Sequence, residues 1–274
     1  MPPLALGLTL CAALIHATWN LLVARSRDPQ VATALAAVVS VTLPLPLVLA
    51  TWRASSAVLP FAVVSGSLEL GYLALLAAAY RRADLSLVYP LARGLAPVIV
   101  LVVGVLALGA AHSPAQIAGV GLVAAGVMLV RGLRGGARPG DLALTLAIAG
   151  CIAGYTTVDK AGVAHAAPLA YYELVMAWPA LAYGIAIASI RGRETVRHEL
   201  GPATVVAGLG MFAAYSLVLA ALGLASAASV AAARETSVVM AAAIGGLFLH
   251  EEVGPRRLLG AAAVTAGIAA LALG

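Results

Sequence analysis

The stretch Tyr89-Pro-Leu-Ala-Arg-Gly-Leu-Ala-Pro97 decides how this chain is read. It opens an otherwise apolar run, 86–108, long enough to cross a bilayer. Inside that run lie Arg93 and two prolines, Pro90 and Pro97. An arginine at membrane depth costs roughly 2.5–3.5 kcal/mol on insertion scales. Each proline removes an intrahelical hydrogen bond and frees a carbonyl. Three features that oppose the stability of one helix point to a polar cavity beside a bent or broken helix, with Pro90 and Pro97 as its hinge.

Working outward, the whole chain is 63% hydrophobic and only 10% charged. A soluble domain carries about a quarter charged residues, so the bulk of this chain belongs in lipid. The formal charge of +5 comes from arginines scattered over short loops, which topology explains better than a nucleic-acid patch does. Cys11 and Cys151 both fall inside apolar segments, which indicates neither a disulfide framework nor a metal site. No H-E-x-x-H, nucleophile elbow or Gly-rich phosphate loop is present. Neither an enzyme nor a cofactor is expected. The first 24 residues lack a basic leader, and more spans follow, so they read as a first helix and not as a signal peptide.

A window of about 20 residues places ten apolar segments near 3–24, 30–52, 57–80, 86–109, 114–133, 140–160, 167–190, 202–224, 226–249 and 255–273. The odd-numbered loops hold twelve arginines, from Arg25 and Arg27 to Arg256 and Arg257; the even-numbered loops hold Arg53 and, at a helix end, Lys160. The positive-inside rule then puts the odd loops in the cytoplasm and both termini outside it. An internal repeat organises the spans. A shift of 141 residues lays Arg93 on Arg234, Gly104 on Gly245, Gly119 on Gly260 and Gly126 on Gly267. Five spans is an odd number, so the second copy enters the membrane upside down, the plan of secondary transporters. The expected fold is an all-α integral membrane protein of ten transmembrane helices, built as two inverted five-helix repeats over 1–133 and 140–274.

Particular residues sharpen this. His16-Ala-Thr-Trp-Asn20 ends span one, and Ala83-Asp-Leu-Ser-Leu-Val-Tyr-Pro-Leu-Ala-Arg93 enters span four. Tyr155 with Asp159-Lys160 lies in span six, and Leu249-His-Glu-Glu252 follows span nine. In their order and spacing these resemble the EamA type of the drug/metabolite transporter superfamily, over essentially the whole chain. The resemblance implies a metabolite permease. One departure stands out: the family often has a glutamate after span four, where this chain has Gly109-Ala-Ala-His112.

Arg93 and Arg234 lead the candidate site. Each lies seven or eight residues inside its span, and the spans start from opposite faces, so both guanidinium groups can approach the midplane. A guanidinium there suits a carboxylate or phosphate; the competing reading is structural, with Arg234 beside Glu235 and Arg93 beside Glu69. Burial opposes ionisation of a carboxyl and a nearby arginine favours it, which makes Glu69, Asp159, Glu173 and Glu235 candidates for proton coupling or ion pairing. His16 joins them as a pH-sensitive group, on one helix face with Asn20. Lys160 is the single lysine of the chain. Trp19, Tyr72, Tyr89, Tyr155 and Tyr215 complete the expected substrate-binding set, and Tyr171 and Tyr172 read as interface anchors. The glycines of spans five and ten allow close helix contact, either between the repeats or across a dimer surface.

The expected function is a secondary permease or exporter of a small anionic or zwitterionic metabolite. It works by alternating access, with proton coupling and exchange both open, as monomer or homodimer. Its expected place is a bacterial-type inner (plasma) membrane, as a multi-pass protein in contact with bilayer and solute and with no nucleic acid. The alternative is a flippase for a phosphate-linked lipid carrier.

Overall fold

A computed structural model describes residues 1–82, 85–107, 109–111, 113–131, 139–240 and 255–273. The helices are α1 (Pro3–Ala24), α2 (Pro29–Thr42), α3 (Leu45–Ala50), α4 (Leu59–Arg82), α5 (Leu85–Leu106), α6 (Pro114–Arg131), α7 (Pro139–Gly162), α8 (Pro168–Arg191), α9 (Arg193–Glu199), α10 (Pro202–Leu224), α11 (Ala227–Arg234) and α12 (Pro255–Leu273). Proline opens α1, α2, α6, α7, α8, α10 and α12. At a first helical position it forfeits an N–H that would have no partner in the helix, and its fixed φ already suits the turn. Asp28 caps α2, accepting from the Gln30 and Val31 amides, and Ser226 caps α11 through the Ser229 amide.

Among the described residues six helices are long and apolar enough to cross a membrane, and three shorter apolar ones lie at 91–106, 114–129 and 258–271. The protein is all-α, and its apolar faces are those of a multi-pass membrane protein. Leu106, Ile185, Ile190 and Leu259 are among the large side chains left on the outside, as lipid-facing residues must be. Span two divides at Leu43 and Pro44 into α2 and α3. The expected span nine is described only as far as residue 240, and the acidic pair Glu251-Glu252 and His112 lie outside the described residues.

The expected break at Pro90 and Pro97 is absent. α5 runs through both as continuous helix. The break falls instead after α11, at Glu235, where the Glu235 amide bonds to the Ala232 carbonyl and the Val238 amide to the Glu235 carbonyl; helix resumes over 236–240. No proline causes it: three-residue hydrogen bonding replaces the four-residue ladder around a buried carboxylate.

Packing follows an exchange rule. α1 lies against α10, and α4 against α7; α2 meets α10, and α4 meets α8; α5 meets α7, and α1 meets α11. α2–α8, α5–α11 and α6–α12 are each their own counterpart. Glycines close the last of these seams. A Cβ on Gly126 would stand 2.6 Å from the Gly260 carbonyl oxygen, and one on Gly119 2.8 Å from that of Gly267. The glycines of spans five and ten thus join the two halves within one chain, whereas Gly121 faces open space.

At one end, the segment before α4 is tied to the α7–α8 turn: the Ser55 amide donates to the His165 carbonyl (2.9 Å) and the Ala167 amide to the Arg53 carbonyl (2.7 Å). At the other end, Arg191 of α8 pairs with Asp28 (3.2 Å) and donates to Gln30 (2.6 Å). Because backbone cannot yield as a side chain does, Gly126→Ala should destabilise the protein by about 1–3 kcal/mol. Gly121→Ala should leave the apparent melting temperature of the detergent-solubilised protein unchanged.

Candidate functional site

A cavity of about 430 Å³ occupies the middle of the helix bundle. It runs along the second half of α1, from Ala12 to Ala24, past Pro29 and Thr33 of α2 and Glu69 to Leu76 of α4. Arg93, Tyr155, Met176, Met211, Tyr215 and Arg234 complete its deeper walls. Small residues on the helices make room for it, and the size suits one small organic molecule.

Arg93, 3% exposed, is fully engaged. Its Nε donates to Glu235 Oε2 at 2.9 Å, and Nη2 donates to Ser237 Oγ at 3.1 Å. Its Nη1 stands 3.4 Å from His16 Nε2. An arginine can only donate, so His16 Nε2 is the acceptor there and the ring is neutral, with its proton on Nδ1. The structural pairing expected from the sequence, Arg93 with Glu69, is therefore replaced by Arg93 with Glu235, a bond from α5 to the break beyond α11.

Arg234, 8% exposed, differs. Among the described residues no carboxylate lies within salt-bridge distance of it, its neighbour Glu235 included. Its Nη2 donates to the Tyr155 hydroxyl at 3.4 Å, its Cζ lies 5.9 Å from the Tyr155 ring centre, and its Nε has no partner. The reason is visible in the repeat. The 141-residue shift that pairs the arginines lays Glu235 on Gly94. At the corresponding position the first half supplies no acid for Arg234, while the second supplies Glu235 for Arg93. The surrounding contacts otherwise correspond: a shift of 139 lays His16 on Tyr155, and each sits against the arginine of its own half.

Next to the cavity wall, Asp159 has no exposed surface. Its Oδ1 accepts from Ser65 (2.5 Å) and Tyr171 (3.0 Å), and its Oδ2 accepts from Tyr215 (2.6 Å). One carboxylate thus fastens α4, α7, α8 and α10 together. Asn20, which the same shift lays on Asp159, bonds only to the His16 carbonyl in its own helix (2.8 Å) and faces the cavity. The two corresponding positions thus hold a carboxylate that ties four helices together and an amide that bonds within its own helix.

Of the expected residues, the structure brings His16, Trp19, Asn20, Glu69, Tyr72, Arg93, Tyr155, Tyr215 and Arg234 to one cavity. The Trp19 indole N–H is buried there without a partner, its ring edge-on to His16 at 5.0 Å. Lys160 does not join them: its Nζ donates to the Leu222 carbonyl (2.6 Å), capping the end of α10. Glu173 is buried outside the cavity lining, with Oε2 unpartnered. The side chains of Tyr89 and Pro90 fall outside the described ones. Tyr171 and Tyr172 are corrections, since both are completely buried and neither is an interface anchor. Ser65, Ser237, Met176 and Met211 were missed, because a serine or methionine in an apolar span carries no signal of its own.

This is the architecture of a membrane transporter: a closed helical bundle with a charged, centrally placed cavity. Residues 139–273 match the EamA-like transporter family, of the drug/metabolite transporter superfamily. Those residues form a domain of that family, whose members are transporters and not enzymes. A solved crystal structure shares the fold, with a TM-score of 0.79 at 17% identity, over 98% of this chain and 96% of its own. No curated protein is significantly similar in sequence.

The two arginines should respond oppositely to substitution. Arg93→Ala strands Glu235 in the core and should cost about 3–5 kcal/mol, largely recovered in Arg93→Ala/Glu235→Gln. Arg234→Gln removes a buried charge that lacks a carboxylate partner and should leave the apparent melting temperature unchanged or raise it.

Proposed function

We propose that the protein is a secondary permease of ten spans, built as two inverted repeats over 1–133 and 140–274, for a small anionic or zwitterionic metabolite. The exchange rule in the helix contacts supports the repeat reading, since each half repeats the other's neighbours. The observation that carries the substrate reading is Arg234: a buried guanidinium on the cavity wall with Nε unpartnered. A charge kept in a low-dielectric site without a fixed counter-ion is costly, and a substrate carboxylate or phosphate would satisfy it with charge-assisted bonds. Trp19 and the methionines around it fit an apolar substrate body.

Alternating access follows from the asymmetry of the two ends. With the arginine-rich loops placed in the cytoplasm and both termini outside, the fastened end at Asp159 faces outward. The end beside Ala24 and Pro29, which among the described residues has no such carboxylate gathering hydroxyl groups, then faces the cytoplasm. Opening outward requires the hydroxyl bonds to Asp159 to break. The setting is a bacterial-type inner membrane.

Purified protein in proteoliposomes, screened by solute-dependent thermal shift and then by flux, tests the reading, because a solute bound to the native state raises its apparent stability. Arg234→Gln should reduce transport of the identified solute at least roughly tenfold, the worth of one charge-assisted bond. Wild-type flux in that variant removes Arg234 from the site. Asp159→Asn replaces an oxygen that accepts a hydroxyl by an amide that cannot. It should open the outer end, seen as faster labelling by an external thiol reagent of a cysteine placed at Tyr72 in a Cys11→Ser/Cys151→Ser background.

A further inference from the structure

We infer that the solute travels with a proton carried on Glu69, so that a monoanion bound at Arg234 and that proton enter and leave the cavity together. This rests on the anion-permease reading and adds the coupling to it.

The argument is a charge balance. Two guanidinium groups, Arg93 and Arg234, stand against the carboxyls of Glu235, Asp159 and Glu69, and all five residues are at least nine-tenths buried. Glu235 is committed to Arg93. Asp159 accepts three hydroxyl protons, an arrangement that suits its ionised form. Glu69 remains. With Glu69 protonated, the set is neutral; with it ionised, the set already carries an excess negative charge before any solute arrives. An anion arriving at Arg234 would then add a second one in a medium where unbalanced charge is strongly disfavoured. Anion binding and proton binding therefore favour each other, and thermodynamic linkage makes that preference reciprocal.

Glu69 is surrounded by groups that can report its state. Around it are Asp159, Tyr155 and Cys151 of α7, Tyr172 of α8, Tyr215 of α10 and Arg234 at the end of α11. The only cation in that set is Arg234, the group that the solute would occupy. Glu69 lines the cavity, so its proton can exchange with whatever water or solute enters it.

The opposing arrangement is a zwitterion, with its carboxylate on Arg234 and its ammonium on an ionised Glu69. A matched set of probes separates the two: 3-phenylpropionate, phenyl phosphate and phenylalanine, the last being the first with an ammonium added. Binding to the purified full-length protein is measured by calorimetry in weakly buffered solution, with proton uptake followed by a pH indicator. Where the free protein's Glu69 is ionised, 3-phenylpropionate should bind with uptake approaching one proton, and where Glu69 already holds its proton, with none. That binding should weaken roughly tenfold for each pH unit once Glu69 ionises. In Glu69→Gln, a neutral mimic of the protonated acid, anion binding should persist with the pH dependence and proton uptake gone. A merely structural glutamate would change stability but would not yield that combination. Anion binding with no proton uptake at any pH, and with no weakening as pH rises, overturns the inference and leaves the permease reading standing. So does phenylalanine binding that Glu69→Gln abolishes. If none of the three binds to folded protein, the anion reading fails and takes this inference with it.

Discussion

A guanidinium buried among apolar helices must meet a negative charge, and in this protein the arginine of the first half finds it only in the second. The Arg93–Glu235 bond joins α5 to the point where the helical ladder beyond α11 is interrupted, and it is completed by Ser237 and His16. Few interactions in a membrane interior are as costly to break, because either partner alone would be an unbalanced charge. The bond therefore fixes where the two halves meet. It also consumes the carboxylate nearest in sequence to Arg234, leaving that second arginine on the cavity wall with a hydrogen bond to the Tyr155 hydroxyl.

The functional asymmetry grows from small departures from repeat symmetry. Glycine stands at 94 where the second half has Glu235, and asparagine at 20 where the second half has Asp159. The first difference leaves one cation paired and one without a carboxylate. The second gives one end of the bundle a carboxylate that gathers three hydroxyl groups from three helices, while the other end has an amide that bonds within its own turn. A perfectly repeated chain would offer two equal ends. The substitution at 159 ties one end through hydroxyl–carboxylate bonds, each of modest net worth.

Much of the architecture could be read before any coordinates. Proline at the first turn of seven helices, arginines in alternate loops and glycines spaced to match at a 141-residue shift all act locally or through composition. Nine of the expected spans coincide with described helices to within a few residues, span two as two pieces. The glycine seam is a case where the sequence offered two partners, the other repeat or a second copy, and packing chose the first. The hinge shows the limit. Prolines marked span four as the weak helix, yet α5 is unbroken, because surrounding helices can hold a proline-containing helix together. A buried carboxylate with no helix-breaking residue beside it marks the interruption in the other half.

The sequence by itself determined that this chain lies in a membrane, where its spans begin, and which rare polar residues had to share an interior. Those follow from hydrophobicity, from proline's missing N–H and from the expense of charge in lipid, all properties of residues taken one or a few at a time. Only the tertiary structure decided which charge answers which: Arg93 with Glu235 and not Glu69, Asp159 with hydroxyls and not Lys160, Arg234 facing the cavity. A buried charge takes the partner that the packed helices bring within about 3 Å, and neighbours in sequence on a helix point in different directions. Arg234 and Glu235 are adjacent in the chain, and one faces the cavity while the other holds its counterpart.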